Sequence, residues 1–367
     1  MDPINLGIDL GRSETRLYDG EHLYVIPTLI GGPVATIRRG SAKLNDEALE
    51  SHLSVKIGRH EYSVGKHALE QPFLFPVNDV DLFAEELNLA LLLGVLGLYV
   101  RRSGIQGIPK LKLCLGLPIA LTRRTAYVES RLAEWTKLHT FDFCGEPMSL
   151  DLVQIDYIPQ PVGAVYAGLM SGDLEYAPTE NVGVIDPGHL STDWVVVRLP
   201  NELSSYSGQS TAAAGFRLTE AITVYLEEQG VTRFDPLAIM EALTSGDYVD
   251  NGTTITVRDE VTAELIERMA QQIALTVKQS WRDLSVDRML LVGGFGRLLY
   301  PHLVQYPYFR DLQLAQDFRY YNVRGTYEYG VATPFRQAEV IATAQAKVSK
   351  AKPVEKPLEA DLAEAEV

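Results

Sequence analysis

Cysteine is nearly absent from this chain: 367 residues carry 2, Cys114 and Cys144. Two thiols cannot build a disulfide scaffold or a four-thiolate zinc site. Both lie in apolar stretches, as buried thiols in a reducing cytosol do. Basic charge is also short. Lys+Arg 33 against Asp+Glu 48 gives −15, which speaks against a broadly basic face wrapped by nucleic acid. Long apolar runs are missing. The longest, Leu89 to Val100, has 12 residues, and a membrane-spanning helix needs about 20. Glu85-Glu86 before it and Arg101-Arg102 after it suit the dipole of a buried helix. The start, Met1-Asp2-Pro3-Ile4-Asn5, lacks the basic region and apolar core of a signal peptide, so the expected setting is cytoplasmic, with no membrane partner. The 7 histidines are scattered and show no metal spacing.

What is present suits a folded α/β chain. Hydrophobic residues make up 46% and charged residues 22%. At about 150 residues per domain the length allows two to three domains. Ile4, Leu6, Ile8 and Leu10 alternate with Asn5, Gly7 and Asp9, which predicts a strand. Gly11-Arg12-Ser13 turns, Thr15 to Tyr18 continues, Asp19-Gly20 turns again and His22 to Ile26 follows, a hairpin pattern. Residues 31–80 read as short strands and loops. Helices are expected over 80–102 and 122–137, with an apolar strand over 110–117 between them. Strands are expected over 139–158 with a turn at Gly145-Glu146-Pro147, and a helix begins at Gln160.

A second half then opens like the first. The strand Val182-Gly183-Val184-Ile185 ends in Asp186, Pro187-Gly188-His189 turns, and Thr192 to Leu199 is another strand. Asp9-Leu10-Gly11 and Asp186-Pro187-Gly188 thus repeat at roughly half the chain length. Helices are expected over 218–229, 236–244, 257–284 and 326–347. The buried strand Met289 to Val292 runs into Gly293-Gly294-Phe295-Gly296. From Ser349 onward Lys, Glu, Ala and Pro dominate, the composition of a disordered tail.

A carboxylate at the end of a buried strand, followed by a glycine turn, suits phosphate and Mg²⁺. Glycine lets backbone N–H groups approach anionic oxygens. The carboxylate is a hard ligand, which meets Mg²⁺ largely through its waters. Two such turns, one per half, could grip a triphosphate from both sides. A third glycine-rich strand end, at 293–296, lets a nucleoside lie on the backbone.

The strings Ile8 to Arg16, Pro159-Gln160-Pro161-Val162-Gly163-Ala164, Val184 to Asp193, Leu291 to Gly296 and Gly325-Thr326-Tyr327-Glu328-Tyr329-Gly330 resemble, in order, the phosphate 1, connect 1, phosphate 2, adenosine and connect 2 motifs of the actin-like ATPase superfamily. The likeness spans residues 4 to about 335. Within the superfamily it is closest to the plasmid-segregation actins of the ParM/StbA type, through Asn322-Val323-Arg324-Gly325-x-Tyr327-x-Tyr329-Gly330 and the Gln-Pro-x-Gly-Ala form of connect 1.

The resemblance implies two duplicated actin/ribonuclease-H-like domains, each a mixed five-stranded sheet flanked by helices, around a nucleotide cleft. Residues 1–160 plus 328–347 would form domain I, 161–327 domain II, and 348–367 the tail. It implies ATP or ADP, with GTP an alternative, and Mg²⁺ as ligands. Asp9 and Asp186 would hold hydrated Mg²⁺. Gly11, Arg12, Ser13 and Arg16 on one side and Gly188, His189 and Ser191 on the other would cradle phosphates. Gln160 would orient the attacking water. Gly293, Gly294, Phe295 and Gly296 would back the nucleoside, opposite Gly215 and Phe216. Hydrolysis of this kind is positioning and electrostatics.

Two departures from the family pattern stand out. Arg16 replaces a common Lys, and its fork differs from a point charge. Gln160 replaces the Glu of many bacterial relatives and is no strong base, so slow hydrolysis is expected. Asp193 falls where relatives carry a carboxylate; a turn-forming role and a metal or water-network role both stay open. The tyrosines at 300, 306, 308, 320, 321, 327 and 329 fit packing better than an assembly surface. The implied function is a nucleoside-triphosphatase that polymerises with itself and moves DNA through a DNA-binding adaptor, without touching nucleic acid directly. A non-polymerising scaffold and a small-metabolite kinase of the same superfamily are the competing readings.

Overall fold

The computed structural model describes residues 2–32, 49–75, 86–174, 180–198, 206–212, 214–232, 234–250, 252–257 and 259–332. The expected tail at 348–367, and the helix expected beyond Ala332, lie outside the described residues.

The chain opens with an antiparallel meander of β1 (Ile4–Leu10), β2 (Glu14–Tyr18) and β3 (Leu23–Pro27). Four short strands follow: β4 (Ile30–Gly31), β5 (Ser54–Ile57), β6 (His60–Val64) and β7 (Leu74–Phe75). Helix α1 (Glu86–Arg102) carries the apolar run, and Ala90 to Val100 is buried all round. Gly97 is what lets it lie flat on the sheet, since a Cβ there would sit 2.5 Å from the ring of Phe143. Then come β8 (Lys110–Leu117), α2 (Ile119–Thr122), α3 (Thr125–Trp135), β9 (Leu138–Phe143), β10 (Glu146–Pro159) and α4 (Gln160–Ser171).

The second half runs β11 (Asn181–Pro187), β12 (Thr192–Arg198), β13 (Tyr206–Thr211), α5 (Phe216–Glu228), α6 (Pro236–Ser245), β14 (Asp247–Asp250), β15 (Thr253–Thr256) and α7 (Asp259–Ser280). It closes with β16 (Arg288–Leu291), α8 (Gly296–Leu303), β17 (Leu312–Leu314) and α9 (Tyr321–Ala332).

The expected duplication is present in the sheet topology. One sheet contains the order β3-β2-β1-β8-β10 and the other is β13-β12-β11-β16-β17. In each, the first two pairings are antiparallel and the next two parallel. The parallel centre is deeply buried, with Ile8, Leu113, Leu115, Val184 and Leu290 all in the core. The first sheet continues beyond the repeated five through β9-β5-β6-β4-β7, to 10 strands.

The two helices that leave the fifth strands, α4 and α9, cross at glycine. A Cβ on Gly325 would lie 1.6 Å from the carbonyl oxygen of Gly163, and one on Gly163 3.0 Å from that of Asn322. No side chain could occupy that crossing.

Several boundaries move from their sequence expectation. The helix expected over 122–137 runs from Thr125 to Trp135, behind a separate short helix at Ile119–Thr122. The turn expected at 145–147 sits one residue earlier, with Cys144 at φ 51 and Gly145 at φ 81, and the strand resumes at Glu146. The last helix starts at Tyr321, ahead of its expected start at 326. Strand β13 and the β14–β15 hairpin gave no apolar alternation to read. Among the described residues no helix is long and apolar enough to cross a membrane.

Candidate functional site

The C-terminal ends of β1 and β11 carry Asp9 and Asp186, both buried (2% and 7% exposed). Each is followed by a tight turn into the next strand. The first turn is held from outside by Thr28, whose hydroxyl donates to the carbonyl of Gly11 at 2.6 Å and whose N–H donates to that of Ser13 at 3.0 Å. Gly11 is required there, because a Cβ would meet the Glu14 carbonyl at 2.6 Å. In the second turn Gly188 N–H donates to the Ser191 carbonyl at 2.8 Å.

The two aspartates are clasped in the same way. Gln160, the first residue of α4, donates its Nε2 to Asp9 Oδ1 at 2.6 Å. Asn322, in the first turn of α9, donates its Nδ2 to Asp186 Oδ2 at 2.7 Å. Each amide comes from the helix following the fifth strand of the aspartate's own sheet. With the N–H groups given to the carboxylates, both amide carbonyls are left as acceptors. Asn322 Oδ1 is buried with no hydrogen-bond partner.

The cross-strand partners differ in sign. Asp9 lies opposite Arg16, and Asp186 opposite Asp193. Arg16 Nη1 donates to Asp9 Oδ2 at 2.9 Å. Burial lifts the Asp9 carboxyl above its ordinary range, with Arg16 and Gln160 pulling it back. Among the described residues no cation pairs with Asp186, and the charge of Arg16 is the smallest of the influences on it. Burial first, then the charge of Asp193, pushes it up to about 7, against the bond from Asn322. Asp193 is itself raised, chiefly by burial. Its Oδ2 accepts the N–H of Ile119 from the other half at 3.3 Å, and its Oδ1 is buried without a partner.

The other expected residues gather on the second turn. Gly215 N–H donates to the Gly188 carbonyl at 3.1 Å and Phe216 N–H to the His189 carbonyl at 2.8 Å, which stitches α5 to the turn. Phe295 N–H donates to the Pro187 carbonyl at 3.1 Å. Its ring lies against Gly215, where a Cβ would sit 2.0 Å from it, and 6.3 Å from the His189 ring. Gly293 adopts φ +82 beside Asp186, and Gly294 faces open space. His189 Nδ1 is buried without a partner, and burial lowers its pKa. Gly296 opens α8. Ser13 and Ser191 enter through backbone carbonyls, and Arg12 lies half-buried in the first turn.

The donor set fits a hydrated divalent cation. Among the described residues no three His, Cys, Asp or Glu side chains form a cage for a metal. Mg²⁺ needs none, since it keeps several waters and takes one or two carboxylates plus substrate phosphates. The unpartnered oxygens of Asp193 and Asn322, and the like-charged pair Asp186 and Asp193, are what such an ion would satisfy.

Sequence reasoning placed both aspartates, Gln160 and the glycine turns in one region, and they are together. It missed Asn322 as a partner of Asp186, Thr28 as the brace of the first turn, and Glu14 and Arg319 beside Arg16. Gln160-Pro161-Val162-Gly163 and Asn322-Val323-Arg324-Gly325 share an amide three residues before a glycine, which was a readable signal. The tyrosines pack as expected. Tyr18 meets Tyr327, Tyr166 meets Tyr329, and Tyr300, Tyr306 and Tyr308 line the second core.

Comparison with known proteins bears on the fold. Residues 7–163 match the family model for the N-terminal domain of actin-like proteins. No curated protein matches the chain. Among solved structures, the chain is similar to a 15-stranded ParM filament from Clostridium botulinum, with TM-score 0.72, 19% identity, and 90% of this chain and 100% of that one covered. An archaeal actin homologue solved in complex with ADP has TM-score 0.67 and 21% identity, covering 90% and 99%. A ParM from Bacillus thuringiensis in apo form has TM-score 0.54 and 15% identity, covering 92% and 98%. Residues 7–163 are thus similar to the N-terminal domain of actin-like proteins, and the chain has the actin fold seen in ParM and in an archaeal actin homologue.

Proposed function

We propose that this chain is a slow, Mg²⁺-assisted nucleoside-triphosphatase whose nucleotide state governs its assembly into filaments. The observation that carries this reading is the paired clasp: Gln160 on Asp9 and Asn322 on Asp186, one in each half, beside two glycine turns. The likeness to a filament-forming ParM and to an ADP-bound actin homologue supports it.

In this reading Asp9 and Asp186 hold the hydrated ion, with Asp193 completing its water network. Bound Mg²⁺ would neutralise charge on the β- and γ-phosphates and orient them. The backbone of Gly11, Arg12 and Ser13 faces the phosphates from one side, and that of Gly188, His189 and Ser191 from the other. Gln160 keeps its N–H on Asp9 and presents its carbonyl to the attacking water. An amide accepts a proton too weakly to act as a strong base, so turnover is slow. Gly294 and Gly296 back the nucleoside, with Gly215 and Phe216 opposite. Residues 1–160 plus 328–347 and residues 161–327 act as the two domains.

The cellular role we propose is cytoplasmic DNA segregation, with a DNA-binding adaptor between filament and cargo. Light scattering and pelleting with Mg-ATP, Mg-GTP and slowly hydrolysed analogues test the assembly step. Polymer that forms with triphosphate and decays as phosphate is released is the expected result. A protein that hydrolyses nucleotide and stays monomeric throughout overturns it.

A further inference from the structure

Glu14 sits where the two halves meet. It opens β2, next to the first turn, and its side chain is 15% exposed. Its Oε2 accepts from Arg16 Nε at 3.2 Å and Nη2 at 2.9 Å. The same oxygen accepts from Arg319 Nε at 3.1 Å, while Oε1 pairs with Arg319 Nη2. Arg319 belongs to the other half, 305 residues away in sequence. The ring of Tyr320 lies against both guanidinium groups, 5.6 Å from that of Arg16 and 5.7 Å from that of Arg319.

We propose that Glu14 and Arg319 form a tie between the halves that positions Arg16 against Asp9 for the nucleotide reaction. This rests on the proposed hydrolysis. Asp9, Arg16, Glu14 and Arg319 alternate in sign along one chain of contacts. Arg16 faces two carboxylates. Arg319 takes up part of the Glu14 charge, and this leaves Arg16 Nη1 on Asp9. Fork-on-carboxylate contacts fix direction as well as distance. Three of the four side chains are largely buried, so the network is not a screened surface pair.

The placement of Arg319 gives the tie its reach. Three residues later Asn322 holds Asp186. The short segment 319–322 therefore contacts Asp186 directly and Asp9 through Glu14 and Arg16. A change in spacing between the halves would move the Arg16 guanidinium, not only the exposed Arg319. Glu14 is a positioning residue here, acting through Arg16.

The test uses the full chain as wild type, Glu14→Gln, Arg319→Gln, Arg319→Lys and the double variant Glu14→Gln with Arg319→Gln. Mg-ATP hydrolysis is measured with kcat and KM separated, and nucleotide-free melting temperatures are read in parallel. Arg319→Gln should lower kcat about 10-fold or more with KM within about 3-fold, as a small misplacement of a catalytic group does. Arg319→Lys should recover part of the loss. The double variant should be no slower than Glu14→Gln alone, because both changes break one tie. Its loss of melting temperature should fall short of the two single losses added together by about 2 °C. Unchanged kcat in Arg319→Gln, or single effects that multiply in the double, overturns the positioning role. A wild type that neither binds nor hydrolyses nucleotide overturns the proposed function and the positioning role with it. The nucleotide-free melts judge the tie in either case, and strictly additive losses there remove it.

Discussion

Gln160 and Asn322 occupy corresponding places in the two halves: each lies in the first turn of its helix, each gives its amide N–H to the aspartate of its own sheet, and each precedes by three residues the glycine of the helix crossing. The clasp is thus part of the duplicated architecture. The asymmetry lies in the cross-strand partners, Arg16 in one half and Asp193 in the other.

Replacing either aspartate should separate activity from folding. Asp9→Ala and Asp186→Ala each remove a carboxylate to which the proposed function assigns the hydrated ion. Hydrolysis should fall to background with the circular dichroism spectrum retained. Normal turnover in either variant would remove that aspartate from the site.

Gln160→Ala should slow hydrolysis by about 10–10³-fold, the range over which a positioning group acts. Nucleotide affinity should stay within a few-fold, and any filaments should persist longer. Loss of binding, measured by titration with a fluorescent nucleotide, would place Gln160 in the framework instead.

Asp186 makes stability depend on pH in a stated direction. Between its ordinary value of 3.8 and about 7 the folded protein holds a proton that the unfolded chain has lost. The native state therefore binds more protons in that window, and stability falls as pH rises, by roughly 1 kcal/mol per pH unit near its centre. Asp9 and Asp193, also raised, act with the same sign. Urea melts from pH 4 to pH 8 should show a shallower slope for Asp186→Asn than for wild type. Equal slopes would mean that Asp186 is ionised throughout. Removing the Asn322 bond, as in Asn322→Ala, should move the Asp186 titration upward.

Gly325→Ala should be severely destabilising. The added methyl would overlap the Gly163 backbone, which no side-chain rotation can relieve. A cost of about 3 kcal/mol or more is expected, at the upper end for overpacking. A melting temperature within 2 °C or so of wild type, which for a chain of this size means under about 1 kcal/mol, would contradict the crossing.

The parts legible in the sequence were those whose chemistry is local. Asp9, Asp186 and the glycine turns declare themselves within ten residues, because an apolar strand, a carboxylate and a glycine must follow one another. Glu14 and Arg319 could not be paired that way, since 305 residues separate them and each alone is an ordinary surface charge type. Of the second five strands of the first sheet, β9 was expected, and what stayed hidden was how the short strands β4 to β7 pair. Strands of 2 residues, such as β4 and β7, carry no periodicity, and Gly31 and Phe75 belong to the sheet only through their partners. The polar strand β13, Tyr206-Ser207-Gly208-Gln209-Ser210-Thr211, lies on a sheet edge, where alternation is not needed.

The glycine crossing also sets a lever ratio. Gln160 lies three residues from Gly163, about 4.5 Å along the axis, whereas Ser171 lies eight residues away, about 12 Å. A tilt of about 10° around that point carries Gln160 less than about 1 Å and the far end about 2 Å, by the same rise per residue. Asn322 lies equally close to Gly325. The fulcrum stands beside the amides, so the halves could swing widely at their outer ends while the two clasps barely shift.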